Sequence, residues 1–177
     1  MEKTINILEG TEARIEGFKV FIKGKNGNLE RDFFSPLFKN DISLERSDNT
    51  IKVSTKATKK KIKAEVGTIA AHIKNMLKGV TDGYTYKLKI IYMHFPITVK
   101  VSSKDILISN FLGEKQPRRA DIVDGCKVEL AGDEIIVTGS SKESVGQTAG
   151  NIERATWIKN RDRRVFSDGI YVTDRSG

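Results

Sequence analysis

A stretch in the middle of the chain, Val66-Gly67-Thr68-Ile69-Ala70-Ala71-His72-Ile73, comes back in altered form as Val145-Gly146-Gln147-Thr148-Ala149-Gly150-Asn151-Ile152, with Val-Gly, Ala and Ile at the same offsets. In the same order along the chain, Ile51-Lys52-Val53 is matched by Ile135-Ile136-Val137, and Asp82-Gly83 by Asp168-Gly169. Such matches predict duplication of an α+β unit of about 80 residues, a period far longer than that of solenoid repeats. The fold class that follows is α+β, with two similar tandem domains, each an antiparallel sheet packed against one main helix. A domain of that size has a small core, so each would lean on its neighbour or on a partner.

The pattern within each half supports this. Phe18 to Lys23, the Asn26-Gly27 turn and Leu29 to Phe33 read as one hairpin. Ile42 to Arg46 and Thr50 to Ser54 alternate around Ser47-Asp48-Asn49 as a second. Ile62, Val66, Ile69, Ile73 and Leu77 recur at steps of four and three, which predicts a helix from Thr58 to Lys78 with a glycine stop at Gly79. Lys59, Lys60, Lys61 and Lys63 crowd its first turns against the helix dipole. An anion would relieve that conflict, and simple toleration of exposed lysines is the alternative.

Tyr84 to Tyr92 then reads as a long strand, and Pro96, which cannot donate to a ladder, marks the expected boundary between a first domain, 1–94, and a second, 95–177. In the second half Ile97 to Val101, Ile106 to Ser109, Cys126 to Leu130 and Ile135 to Thr138 are strand candidates. A helix is expected from Ser140, with Glu143 completing a capping box. Each half thus reads as strands, hairpin, helix, strand. Gly67, Ala70, Gly146 and Ala149 are expected to let each helix lie close to its sheet.

Composition narrows the function. The 177 residues carry 31 Lys and Arg against 23 Asp and Glu, a net charge of +8, which suits a polyanionic partner. No run is long and apolar enough for a membrane span, and Met1-Glu2-Lys3-Thr4 does not begin a signal peptide, so a cytoplasmic protein is expected. The single cysteine, Cys126, has no disulfide or zinc partner and reads as an apolar filler. His72 and His94 read as structural. No nucleophile, phosphate loop, dinucleotide glycine pattern or metal spacing is present, so no cofactor, metal, small-molecule substrate or enzymatic activity is expected.

Three basic groups remain: Lys56 to Lys63, Lys115 with Arg118 and Arg119, and Arg154 to Arg164, where five cations face the single acid Asp162. Net charge favours the first half as a binding surface. Local density and arginine content favour the second, because a guanidinium grips phosphate oxygens in pairs and stacks on bases. A solvated surface loop is the plain alternative for each run, and a module for acidic protein partners is the alternative to RNA. Aromatic stacking motifs of single-strand readers are missing, which favours recognition of a folded RNA by shape and backbone. The expected contacts are Lys115, Arg118, Arg119, Lys142, Lys159, Arg161, Arg163 and Arg164, with Gly169 allowing a tight turn that brings backbone close to RNA.

Longer motifs sharpen the assignment. His72 to Thr81, Tyr84, Tyr86-Lys87, Tyr92, His94-Phe95-Pro96, Asn110 to Lys115, Lys159-Asn160, Asp162, Arg164, Phe166 and Asp168 to Val172 together resemble the archaeal and eukaryotic branch of the large-subunit ribosomal protein six family, over essentially the whole chain. The resemblance implies two similar α+β domains and a structural role in the ribosome. It also implies binding to large-subunit ribosomal RNA near the sarcin-ricin loop and the stalk base, beside neighbouring ribosomal proteins, where translation factors dock. In that family the second domain makes most of the RNA contact, with the segment corresponding to Lys159 through Gly169 at its centre. Homo-oligomers are not expected. Family members often carry Gly-Pro-Arg-Gly in the first hairpin, whereas this chain has Gly24-Lys25-Asn26-Gly27 and lacks that arginine.

Overall fold

The computed structural model describes residues 1–36, 41–47, 49–162 and 164–176. Asp48, in the expected second turn, and Arg163, in the expected RNA contact, lie outside the described residues. The chain divides into two units, Met1–Gly83 and Tyr84–Gly177.

In the first unit, strands β1 (Glu2–Asn6), β2 (Glu12–Glu16), β3 (Lys19–Gly24), β4 (Gly27–Asp32), β5 (Ile42–Ser47) and β6 (Thr50–Thr55) precede helix α1 (Lys60–Thr81). They form two antiparallel three-stranded sheets, ordered β1-β6-β5 and β2-β3-β4. Period-two alternation puts Val20 and Ile22 of β3 and Ile51 and Val53 of β6 on inward faces, where all four are buried. Ile62, Val66, Ile69, Ile73, Leu77 and Val80 form the apolar stripe of α1 that closes over them.

Gly79 does not stop this helix. It is buried inside it, and Gly83, at φ +79°, takes the left-handed position and donates its N–H to the Lys78 carbonyl. The β3–β4 hairpin abuts the same end. A Cβ at Gly24 would lie 2.7 Å from a methyl of Val80, while Asn26 donates its backbone N–H to the Val80 carbonyl and its side-chain amide to that of Thr81.

The second unit runs β7 (Tyr84–Ile91), β8 (Thr98–Val101), β9 (Asp105–Ser109), a 3-10 turn (Phe111–Gly113), β10 (Arg118–Asp121), β11 (Cys126–Ala131), β12 (Glu134–Gly139), α2 (Lys142–Ala155) and β13 (Gly169–Ser176). Its sheets are ordered β11-β12-β7-β13 and β10-β9-β8. The order β1-β6-β5 of the first unit recurs as β7-β12-β11, and β2-β3-β4 recurs as β8-β9-β10. Among the described residues each copy is therefore six strands and then a helix, packed as two sheets on that helix, and β13 has no counterpart there.

Two expectations change as a result. The strand after α1 is the first strand of the second copy, because Tyr84 to Lys89 pair with Gly139 to Glu134 and Ile91 to Thr85 pair along β13. The division accordingly falls before that strand, at Gly83/Tyr84, and not at Pro96. The two Asp-Gly pairs are also unrelated in structure, since Gly83 caps a helix whereas Gly169 opens β13, opposite Ile91.

The matched helix residues do correspond. Val66 and Val145 are both fully buried, and Gly67 and Gly146 face the first strand of their own unit, near Lys3 and Tyr86. Lys3 pairs with Val53 and Tyr86 with Val137, the matched residues of β6 and β12. A Cβ at either glycine would meet its nearest neighbour at 3.7 or 3.8 Å, an ordinary contact, so close packing does not demand glycine there. The second helix starts one residue later than expected. Ser141 is its cap, with Oγ accepting from the Ser144 N–H at 3.2 Å, so Glu143 falls one position short of a capping box.

Candidate nucleic-acid interface

The adjacent arginines of β10 point to opposite faces of their strand, and that separates their roles. Arg118 shares the inward face with buried Ala120 and stacks at 4.3 Å over the ring of Phe111, itself 1% exposed. Its Nε and Nη2 grip both oxygens of Glu114 at 2.8 and 2.6 Å, and Nη1 donates to the carbonyls of Ala155 and Trp157 at 2.9 and 3.0 Å. The Arg118 fork, working against partial burial, holds the Glu114 carboxyl below the usual carboxylate range, with the charge of Arg161 adding to the effect. Arg118 is therefore a clamp joining the 3-10 turn, β10 and the end of α2. Arg118 was expected to neutralise phosphate, and its donors are engaged within the protein.

Arg119 faces outward and remains 63% exposed, but its Nε lies 2.9 Å from Asp105 and 3.5 Å from Asp121. Two acids thus offset its charge. Lys115 is exposed in the link between the 3-10 turn and β10. Lys142 is exposed at the first position of α2, with its ammonium 5.8 Å from the ring centre of Tyr84. At 1.5 Å per residue α2 is about 20 Å long, so Lys142 sits at the far end of the helix from the Arg118 clamp.

The segment after α2 is organised by its own acid. Asp162 accepts the N–H of Arg164 on Oδ1 at 2.9 Å, and its carbonyl accepts from Val165 and Phe166. With Asn160 in the left-handed region at φ 59°, these bonds hold a turn that exposes Lys159, Arg161 and Arg164. The Arg164 side chain is 94% exposed, with Nε 3.7 Å from Asp162. Arg161 lies 4.9 Å over the ring of Phe166, and Phe166 stacks on His94 with centroids 4.8 Å apart. His94 Nδ1 is 2.7 Å from Oδ2 of Asp168, while Oδ1 of Asp168 accepts the N–H groups of Met93 and His94 at 2.8 and 3.1 Å.

Asp168 is 1% exposed. Burial alone would raise its pKa, but those two backbone donors and the His94 ring outweigh it and hold the carboxyl below its ordinary value. An ionised carboxylate only accepts, so Nδ1 carries the hydrogen. A buried anion thus orients a histidine, the histidine backs a phenylalanine, and the phenylalanine carries an exposed guanidinium. Sequence reading took Asp168 as half of a turn motif and His94 as an isolated structural histidine. Their pairing bridges two stretches far apart in the chain, which no local spacing signals. Gly169 follows directly and is buried in the ladder, where a Cβ would come within 3.0 Å of the Tyr171 ring. Gly169, expected to allow a tight turn beside RNA, thus stands at the start of a strand.

The structure therefore brings Lys159, Arg161 and Arg164 onto one loop and engages Arg118 within the protein. Among the described residues no cluster of His, Cys, Asp or Glu could hold a metal ion, and no helix is long and apolar enough to cross a membrane. A cavity of about 800 Å³ in the first unit is lined by both acids and bases, among them Glu12, Glu16, Glu30, Arg14, Lys23 and Arg46. Closely spaced opposite charges of this kind do not form a polyanion site.

Comparison with known proteins agrees with the doubled plan. The family described as Ribosomal protein L6 matches twice, at residues 7–83 and 95–169. The large ribosomal subunit protein uL6 of Methanothrix thermoacetophila is 47% identical over 173 residues, covering 98% of this chain and 96% of that protein. The protein of the same name from Sulfurisphaera tokodaii is 49% identical over 168 residues, covering 95% and 89%. That from Staphylothermus marinus is 50% identical over 173 residues, covering 96% and 92%.

Proposed function

The chain belongs to the ribosomal protein L6 family, whose members are structural proteins of the large ribosomal subunit and not enzymes, and on that premise we propose that its second unit binds large-subunit ribosomal RNA through the loop between α2 and β13. The observation that carries this reading is the state of the loop's charges. Its two acids are both engaged, Asp162 in the turn itself and Asp168 with Met93 and His94, and Arg161 is backed by Phe166, so the loop presents its cations on a turn formed before any ligand arrives. The turn and Arg161 need little further ordering on binding, and a polyanion removes the mutual repulsion of the cations.

Lys159, Arg161 and Arg164 are the phosphate contacts, with Lys115 beside them on the neighbouring link. Arg119 and Lys142 contribute at most from the margin, since one is offset by two acids and the other lies at the opposite end of α2. The place on the RNA is the region of the sarcin-ricin loop and the stalk base, beside other ribosomal proteins in the cytoplasm, as the resemblance of the segment from Lys159 to Gly169 implies. The protein acts there as a scaffold that supports factor docking, without a cofactor and as a single copy.

Salt dependence tests the reading. Binding of purified protein to deproteinised large-subunit RNA should weaken steeply as salt rises. The double variant Arg161→Ala/Arg164→Ala should flatten the log–log slope by about one to two. A slope equal to that of the parent protein would remove both arginines from the interface.

A further inference from the structure

We infer that the cleft beside Trp157 receives one unstacked base of the bound RNA, an inference that rests on the RNA-binding reading above. The cleft has a volume of about 390 Å³, enough for a single planar ligand, and Gly150, Glu153, Arg154, Trp157 and Tyr171 form its walls. Trp157 is 55% exposed although indole is among the most costly surfaces to leave in water. Its backbone is fixed at both ends, with the carbonyl accepting from Arg118 at 3.0 Å and the N–H donating to the Arg154 carbonyl at 3.1 Å. Tyr171 is likewise tied, its hydroxyl donating to the Ser167 carbonyl at 3.1 Å. At Gly150 nothing lies within 4 Å of where a Cβ would stand, so the helix offers open space to the cleft.

This chemistry selects a class of ligand. An exposed indole on a fixed backbone and a tied phenol ring suit a flat π system, and RNA is read by proteins through bases splayed onto aromatic or guanidinium faces. Glu153 supplies an acceptor for an exocyclic amine or ring N–H, and Arg154 supplies donors for a ring nitrogen or carbonyl. An apolar protein side chain would bury those two charges without pairing them, which costs more than it gains. Position points the same way, because Lys159 follows two residues after Trp157, so a nucleotide whose base enters the cleft has its phosphates beside the cationic loop.

Trp157 is the single tryptophan of the chain, so its emission reports on the cleft directly. Titration with deproteinised large-subunit RNA should quench that emission with the same midpoint as binding. Trp157→Ala should weaken binding roughly five- to hundredfold, whereas Trp157→Phe, which keeps a stacking face, should stay within about threefold. Neither changes a charge, so both should keep the parent salt slope. RNA that binds with unaltered emission overturns the inference, as does a Trp157→Ala protein that binds like the parent. So does quenching that needs other large-subunit proteins, which would assign the cleft to a protein partner. If the unmodified protein fails to bind the RNA at all, the RNA-binding reading falls and this inference with it. Binding without quenching leaves that reading standing.

Discussion

Arg118 and Arg164 are both arginines of the basic groups that attract attention in the sequence, yet their surroundings give them opposite duties. Removing Arg118 strands the Glu114 carboxylate and two carbonyls, so Arg118→Ala should cost about 1.5–3 kcal/mol of stability in urea unfolding while the salt slope of RNA binding keeps its parent value. Glu114, four residues before Arg118, was a partner within reach of a sequence reading, but the main-chain carbonyls at Ala155 and Trp157 that complete the clamp are encoded by no side-chain pattern. Asp168 makes a pH prediction. Its carboxyl titrates lower when folded, so the unfolded chain binds more protons as acid is added. The contribution of Asp168 is complete above the unfolded aspartate value, about 3.9, and is lost as pH falls from there through the folded value. Chemical denaturation across that range should show a shallower acid limb for Asp168→Asn than for the parent protein.

At the scale of elements, the two helices were plain from spacing, because Ile62, Val66, Ile69, Ile73 and Leu77 can share a face only at 3.6 residues per turn. Strands β2 and β10 were not. Glu12-Ala-Arg-Ile-Glu16 and Arg118-Arg-Ala-Asp121 each bury a single alanine fully, and charges fill most of their other positions. Such edge strands are specified by their neighbours' hydrogen bonds more than by their own apolar content. The helix glycines give a prediction at this scale. Because a Cβ at Gly146 meets only an ordinary contact, Gly146→Ala should stabilise the second unit by about 0.5–1 kcal/mol, seen as a higher thermal midpoint. The outcome that contradicts the packing described here is a loss of stability. Helix α1 begins without a side-chain cap or an acid in its first turn, so Lys59→Ser should add about 0.5–1 kcal/mol, measured the same way.

For the whole molecule, the doubling was legible from a handful of matched residues, but its phase was not. The strand after α1 looked like the end of the first copy because it follows that helix directly, and only its pairing with β12 and β13 assigns it to the second. The fragment 84–177 should accordingly give a dispersed amide spectrum and cooperative unfolding. The fragment 95–177, cut at Pro96, lacks the strand between β12 and β13 and should give neither. Equal folding of both would refute the division at Gly83/Tyr84. That strand and β13 are the first and last of their unit, so their union draws together everything made between them, a closure of high contact order. While the chain is being synthesised, the flank of β7 that β13 will cover stands as a bare ladder of amides and carbonyls, open to neighbouring chains. The step that completes the second unit is therefore also the one that ends its exposure to aggregation.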